Sequence, residues 1–172
     1  MYVKEFGEMF TANSDAAVET TEVSKNKRVR FALEPKEKEW APVSLLLCST
    51  VQNVGSKRML KVLFDSGGTG CLINQRALPM GANPIVSDKE TLKTIAGNFV
   101  VNRKVYVRDI ILPEFSKSRQ VDGHEMFVFN EHCPYDVILG CDFLKKIGLK
   151  LDFESGIIEW MDDKIAMKDR HQ

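Results

Sequence analysis

The segment Lys61-Val-Leu-Phe-Asp-Ser-Gly-Gly-Thr-Gly-Cys-Leu-Ile-Asn74 decides how the chain is read. An apolar run ends on an aspartate, a loop of small and hydroxyl residues follows at once, and a second apolar run leaves it. Asp-Ser-Gly alone is ordinary turn chemistry, and a tripeptide of such common residues turns up by chance in roughly one chain in 25 of this length. The flanks make it informative, because a turn between two buried strands is a poor place for an idle carboxylate. Gly67 and Gly68 let the backbone pass close to the Asp65 carboxylate, and Ser66 and Thr69 offer it hydroxyl donors. The spacing predicts an acid held at the base of a cleft.

Outward from this loop the chain reads as short β runs separated by turn residues. Upstream, residues 43–51 and 58–64 are strand-like, with Gln52-Asn-Val-Gly-Ser-Lys57 as a hairpin connection. Downstream, residues 74–80 read as a turn or short helix and 81–84 as a break. Residues 90–95 and 99–111 then form a hairpin joined through Ala96-Gly-Asn98. After a loop at 113–123 come strands at 125–129 and 135–139 and a helix at 142–147 stopped by Gly148. A last hairpin pairs 149–153 with 157–160 around Glu154-Ser-Gly156. Many short strands with one late helix predict an all-β barrel or sandwich. Residues 1–41 mix charges of both signs without apolar periodicity and read as a flexible charged leader. Residues 161–172 read as a C-terminal tail or polyprotein linker, which leaves 42–160 as the folded domain. Lys25-Asn-Lys-Arg-Val-Arg30 is balanced by Glu34, Glu37 and Glu39 and reads as solvated linker.

The 172 residues carry 24 Lys and Arg against 24 Asp and Glu, for a net charge of zero. That balance argues against a nucleic-acid coat or an anionic-membrane binder, both of which rest on excess positive charge. No apolar run approaches the roughly 20 residues a membrane span needs. The first residues lack the basic-then-apolar order of a signal peptide, so the expected setting is cytoplasmic and reducing. The four cysteines form no C-x-x-C pair and the three histidines no H-x-x-x-H pair, so no metal site is expected. The nearest grouping, His132-Cys133 with Cys141, reads as a turn followed by buried thiols.

Phe64-Asp-Ser-Gly-Gly-Thr69 resembles the active-site loop of retropepsins, the aspartic proteases of retroviruses and long-terminal-repeat retrotransposons. Tyr135-Asp-Val-Ile-Leu-Gly-Cys-Asp-Phe-Leu-Lys-Lys-Ile-Gly-Leu-Lys-Leu-Asp-Phe153 resembles the strand, Gly turn and helix that close that family's fold. Gly156-Ile-Ile-Glu-Trp160 continues the pattern, most closely that of gypsy-type elements. The two motifs lie about 70 residues apart in the family's order, and the resemblance covers residues 42–160. It implies a retropepsin-like acid protease barrel with one short C-terminal helix, the half-site subunit of a homodimer.

The implied chemistry is peptide hydrolysis by two aspartates that share a proton and activate one water, with no metal and no cofactor. Asp65 is the catalytic residue by this resemblance. The chain holds one Asp-Ser-Gly, while Asp88, Asp109, Asp136, Asp142 and Asp152 stand in unlike settings, so the second carboxylate would be Asp65 of another copy. The resemblance also implies that Ser66 bonds the partner's loop, with Gly67 permitting the approach and Thr69 supporting the loop. Ile138, Leu139 and Gly140 would pack behind it. The hairpin carrying Ile95, Ala96, Gly97 and Asn98 matches the flap that closes over a bound peptide. Two departures stand out: Gly68 replaces the family's usual Ala, and the flap has a single glycine.

The expected function is therefore an aspartic endopeptidase acting on a retrotransposon-type polyprotein, in the cytoplasm or within virus-like particles. The alternative is a catalytically weak retropepsin-like module for dimerisation or peptide binding. Intact Asp65-Ser66-Gly67 favours the enzyme.

Overall fold

The computed structural model describes residues 39–49 and 58–169. The predicted leader through residue 38, the basic patch at 25–30, the connection at 52–57 and residues 170–172 lie outside them. The strands are β1 (Trp40–Ala41), β2 (Val43–Ser49), β3 (Leu60–Phe64), β4 (Leu72–Asn74), β5 (Ile85–Thr94), β6 (Gly97–Ile111), β7 (Gln120–Val121), β8 (His124–Phe129) and β9 (Val137–Leu139). After the helix α1 (Cys141–Ile147) come β10 (Leu149–Asp152), β11 (Ile157–Trp160), β12 (Asp163–Ala166) and β13 (Lys168–Asp169). A short 3-10 turn at Gln75–Ala77 follows β4, capped by the Asn74 side chain on the Arg76 N–H.

Six strands close on themselves in the order β2, β3, β9, β4, β8, β6 and back to β2. The sequence accounts for which strands lie where. Every residue of β4 and β9 is buried, as expected of strands covered on both faces; β9 is apolar throughout, and the one polar residue of β4, Asn74, uses its side chain to cap the turn that follows. Along β6, Phe99, Val101, Val105 and Val107 are buried while Val100, Asn102, Tyr106 and Arg108 are exposed, the two-residue period of a strand covered on one side. The larger core cluster gathers Leu46, Phe64, Ile73, Met126, Leu139, Phe143 and Trp160, and a second holds Leu63, Leu72, Phe99, Phe129 and Ile138. Leu139 and Ile138 thus send neighbouring side chains into different clusters.

Three expectations need correction. Residues 161–169 are not a free tail: β12 pairs with β11, and β13 pairs with β1, so the folded body extends past residue 160 and begins before residue 42. The cause is the alternation in Asp163-Lys-Ile-Ala-Met167, which registers Ile165 opposite Ile158 and buries Met167, whose N–H bonds the Gly156 carbonyl at 2.7 Å. The charges around those apolar residues had masked the strand. The loop at 113–123 contains β7, paired with Ile110 and Ile111. The β5–β6 hairpin turns on Ile95-Ala96, one residue earlier than Ala96-Gly-Asn98, because Thr94 pairs directly with Gly97. The helix stop is as expected, with Gly148 left-handed at φ 70°, ψ 30° and its N–H bonding the Lys145 carbonyl.

Glu114 fastens three parts of the body together. Its carboxylate accepts from the buried Ser44 hydroxyl at 2.7 Å and the Leu45 N–H at 2.9 Å on β2, and from the Lys168 ammonium on β13 at 3.1 Å. Partial burial works against ionisation of Glu114, but the Ser44, Lys168 and Leu45 donors outweigh it and hold the carboxyl below its ordinary value. A carboxyl whose folded value is depressed contributes stability that is present above its unfolded value and lost as pH falls through the folded one. Glu114→Gln should therefore cost on the order of 1 kcal/mol near neutral pH, and the gap from the parent should close on acidification through that depressed value. Thermal melts of both proteins across that range check this; a gap independent of pH would contradict it.

Candidate active site

Asp65 sits one residue beyond β3 and is 1% exposed. Its position follows from strand order. β9 lies between β3, which runs parallel to it, and β4, which runs antiparallel, so residues 65–71 must leave one side of β9 and return on the other. The Asp65 N–H bonds the last β9 carbonyl, Leu139, at 2.9 Å. The loop is then held against the start of α1: the Cys141 N–H donates to the Gly68 carbonyl at 2.8 Å and the Asp142 N–H to the Thr69 carbonyl at 3.1 Å.

The carboxylate is surrounded by backbone donors. Oδ1 accepts from Gly67 N–H at 2.8 Å and Gly68 N–H at 3.2 Å, and Oδ2 accepts from Ile95 N–H, at the hairpin tip, at 3.0 Å. Ser66 and Thr69, expected to supply hydroxyl donors, are exposed and do not bond Asp65. A tight turn brings the amides closer than the side chains, which is why the glycines do this work. A Cβ on Gly68 would lie 3.2 Å from Asp65 Oδ2, so glycine here gives the carboxylate room that alanine would narrow.

Ile138 and Leu139 are fully buried beneath the loop, and Gly140 is buried beside it. Gly140 has an ordinary extended backbone, φ −83° and ψ −177°, so its need for glycine is steric. A Cβ there would stand 2.4 Å from the Gly70 carbonyl oxygen and 2.9 Å from that of Gly68. Ile95 and Ala96 form the hairpin tip, Gly97 takes φ 132°, and Asn98 continues β6. The Thr94 hydroxyl accepts from the Ala96 N–H at 3.0 Å and steadies the turn.

Under the tip lies a cavity of about 250 Å³ whose lining includes Trp40, Lys61, Leu63, Ile95, Ala96 and Tyr135. Leu63 is two residues before Asp65, and the Lys61 ammonium sits 5.5 Å from the centre of the Tyr135 ring. Sequence reading missed Trp40, Lys61 and Tyr135, since only the barrel's closure brings them to one wall.

The expected nearest metal grouping, His132, Cys133 and Cys141, is not brought together; the structure instead assembles Cys71, His124 and Asp142. Burial, with the Asp142 carboxylate beside it, pushes the Cys71 thiol well above its ordinary range, so this sulfur holds its proton and is no activated nucleophile. Cys141 Sγ bonds the Ser66 carbonyl at 3.1 Å.

The described strands thus close into a six-stranded barrel with a buried aspartate in a glycine loop beneath a long hairpin. Residues 49–152 match the retroviral aspartyl protease family, and the chain belongs to it. Its structural relatives include the retroviral protease-like domain of Ddi1 from Leishmania major, 15% identical, with 76% of this chain and 96% of that one covered and a TM-score of 0.46. EIAV protease complexed with the inhibitor HBY-793 is 21% identical, with 67% and 95% covered and a TM-score of 0.47. No curated protein matches the chain.

Gly140→Ala should destabilise the fold by about 1–3 kcal/mol, because the clash is with backbone oxygens and not a movable side chain. Chemical denaturation of parent and variant measures it; a variant as stable as the parent would refute the close approach.

Proposed function

We propose that the chain is an aspartic endopeptidase that works as a homodimer, each copy contributing Asp65 to one shared site. The supporting observation is the Asp65 carboxylate, buried at the base of the loop with Oδ1 fixed by two amide donors. Two such carboxylates meeting across a two-fold axis hold one proton between them, because both cannot ionise at close range. The ionised one takes a proton from the bound water as it attacks the scissile carbonyl, and the protonated one hydrogen-bonds the carbonyl oxygen as charge develops there. The amides of Gly67 and Gly68 keep each carboxylate in plane and orient it before the water arrives. Ser66, which is exposed, bonds the partner's loop in this dimer.

In the single chain the second oxygen is occupied by the hairpin tip through Ile95 N–H. The β5–β6 hairpin must lift to admit water, substrate and the second aspartate. An extended peptide then pairs with it by strand addition, and the cavity lined by Leu63, Ile95 and Tyr135 receives a side chain of the peptide. The substrate this suits is an unstructured junction in a polyprotein of retrotransposon type.

Asp65→Asn is isosteric and can keep its oxygen toward Gly67 and Gly68, so the fold should survive while kcat/KM falls by on the order of 1,000-fold or more. Cleavage of an unstructured polyprotein junction at mildly acidic pH, with a melting curve as folding control, reads this. Equal cleavage by parent and variant would remove Asp65 from the chemistry. Specific activity of the parent should also fall on dilution as the dimer dissociates. Sedimentation run alongside the assay checks that; undiminished activity of a sedimenting monomer would show that one chain suffices.

A further inference from the structure

Cys71, His124 and Asp142 come from three separate places in the chain: the exit of the Asp65 loop, the first residue of β8 and the first turn of α1. One donor atom from each lies within 4.8 Å of the others. Asp142 turns one oxygen to Cys71 Sγ at 3.1 Å and the other to His124 Nε2 at 3.0 Å. The two contacts are to different oxygens of Asp142, so a tetrahedral zinc bonded to one of them, with bonds of about 2.0–2.3 Å and neighbouring donors roughly 3.3–3.6 Å apart, draws Sγ and Nε2 together from within 4.8 Å of each other.

Two further features suit a metal-bound thiolate. The Gly140 N–H donates to Cys71 Sγ at 3.3 Å, the kind of backbone support that stabilises charge on a ligating sulfur. The His124 ring is held edge-on to Phe143, with centroids 5.2 Å apart and planes at 81°, which presents Nε2 to the carboxylate without using a ring nitrogen. Cys71 is buried, whereas Asp142 is exposed, so a cation can arrive from the Asp142 side and keep water as its fourth ligand.

We propose that Cys71, His124 and Asp142 form a binding site for a single zinc ion beside the Asp65 loop. A thiolate, an imidazole and a carboxylate together favour this borderline-soft cation over magnesium or calcium, which take oxygen ligands. On binding, the S–H bond breaks and its proton passes to the buffer, a zinc–sulfur bond forms, and neutral His124 donates its Nε2 lone pair with its proton on Nδ1. The ion ties the end of the loop at Cys71 to the helix turn whose amides hold the Gly68 and Thr69 carbonyls. Its place is thus behind the loop, bracing it, and it takes no part in the hydrolytic chemistry.

The test titrates the full 172-residue chain with Co²⁺, followed by competition with Zn²⁺. One equivalent should produce a thiolate-to-cobalt charge-transfer band in the near ultraviolet and tetrahedral ligand-field bands in the visible, both abolished by Zn²⁺. Cys71→Ser should eliminate the charge-transfer band, and His124→Gln should weaken Co²⁺ binding at least about tenfold. Cys133→Ser should leave both unchanged, and Asp65→Asn should bind as the parent does, which separates this site from the fate of the protease assignment. Absence of a thiolate band in the parent, or a band that survives Cys71→Ser, overturns the proposal. Should Cys71→Ser fail to fold, the half-buried His124 decides: Co²⁺ affinity unchanged in His124→Gln overturns it.

Discussion

The structure depends on the close approach of two backbone segments, Gly140 against the carbonyls of Gly68 and Gly70. With no Cβ between them, the loop and the start of α1 can exchange hydrogen bonds through Cys141 and Asp142, and that exchange fixes the loop's curvature. The curvature in turn aims the Gly67 and Gly68 amides at Asp65. The dependence explains why β9 is wholly apolar. A strand flanked by β3 and β4 and covered on both faces cannot bring a polar side chain to the place where the loop crosses it. Carboxylate, loop and crossing strand are one unit, and the rest of the barrel holds that unit in place.

Much of this was legible in the sequence because the deciding residues are punctuation in apolar runs. Asp65 stands out since an acid at the end of Val-Leu-Phe has few uses on a buried strand, and Gly148 since it ends a helical pattern. What escaped was set by register and closure. The two-residue hairpin tip depends on Thr94 facing Gly97 across the ladder, which no local pattern specifies. Residues 163–169 carry more charged than apolar residues, and only pairing with β11 and β1 distinguishes them from a solvated tail. The donors to Asp65 were sought among the hydroxyls of Ser66 and Thr69, yet in a turn this tight the amides arrive first. The grouping of Cys71, His124 and Asp142 has spacings of 53 and 18 residues, so no short-range motif could disclose it.

The single chain also shows how the Asp65 carboxylate is satisfied within one copy. Bonded to Ile95 N–H, its second oxygen is satisfied without solvent, so a subunit alone does not bury an unpaired charge-bearing atom. In the dimer proposed above, assembly and substrate capture would exchange this hydrogen-bond partner for another, so that the acid need not pass through an unpartnered state.

The pairing of β1 with β13 bears on how the domain responds to its surroundings. Trp40 and Asp169 stand directly opposite each other in an antiparallel ladder, near the two ends of the described residues. A pull on the two flanks opens such a ladder like a zipper, one residue pair at a time, instead of shearing all its bonds at once. This ladder is two pairs long, so tension from whatever lies on either side is released there first, while Glu114 still grips Lys168 and the barrel that carries Asp65 remains closed. A short joint is thus placed at the edge of the described body, apart from the loop that holds Asp65.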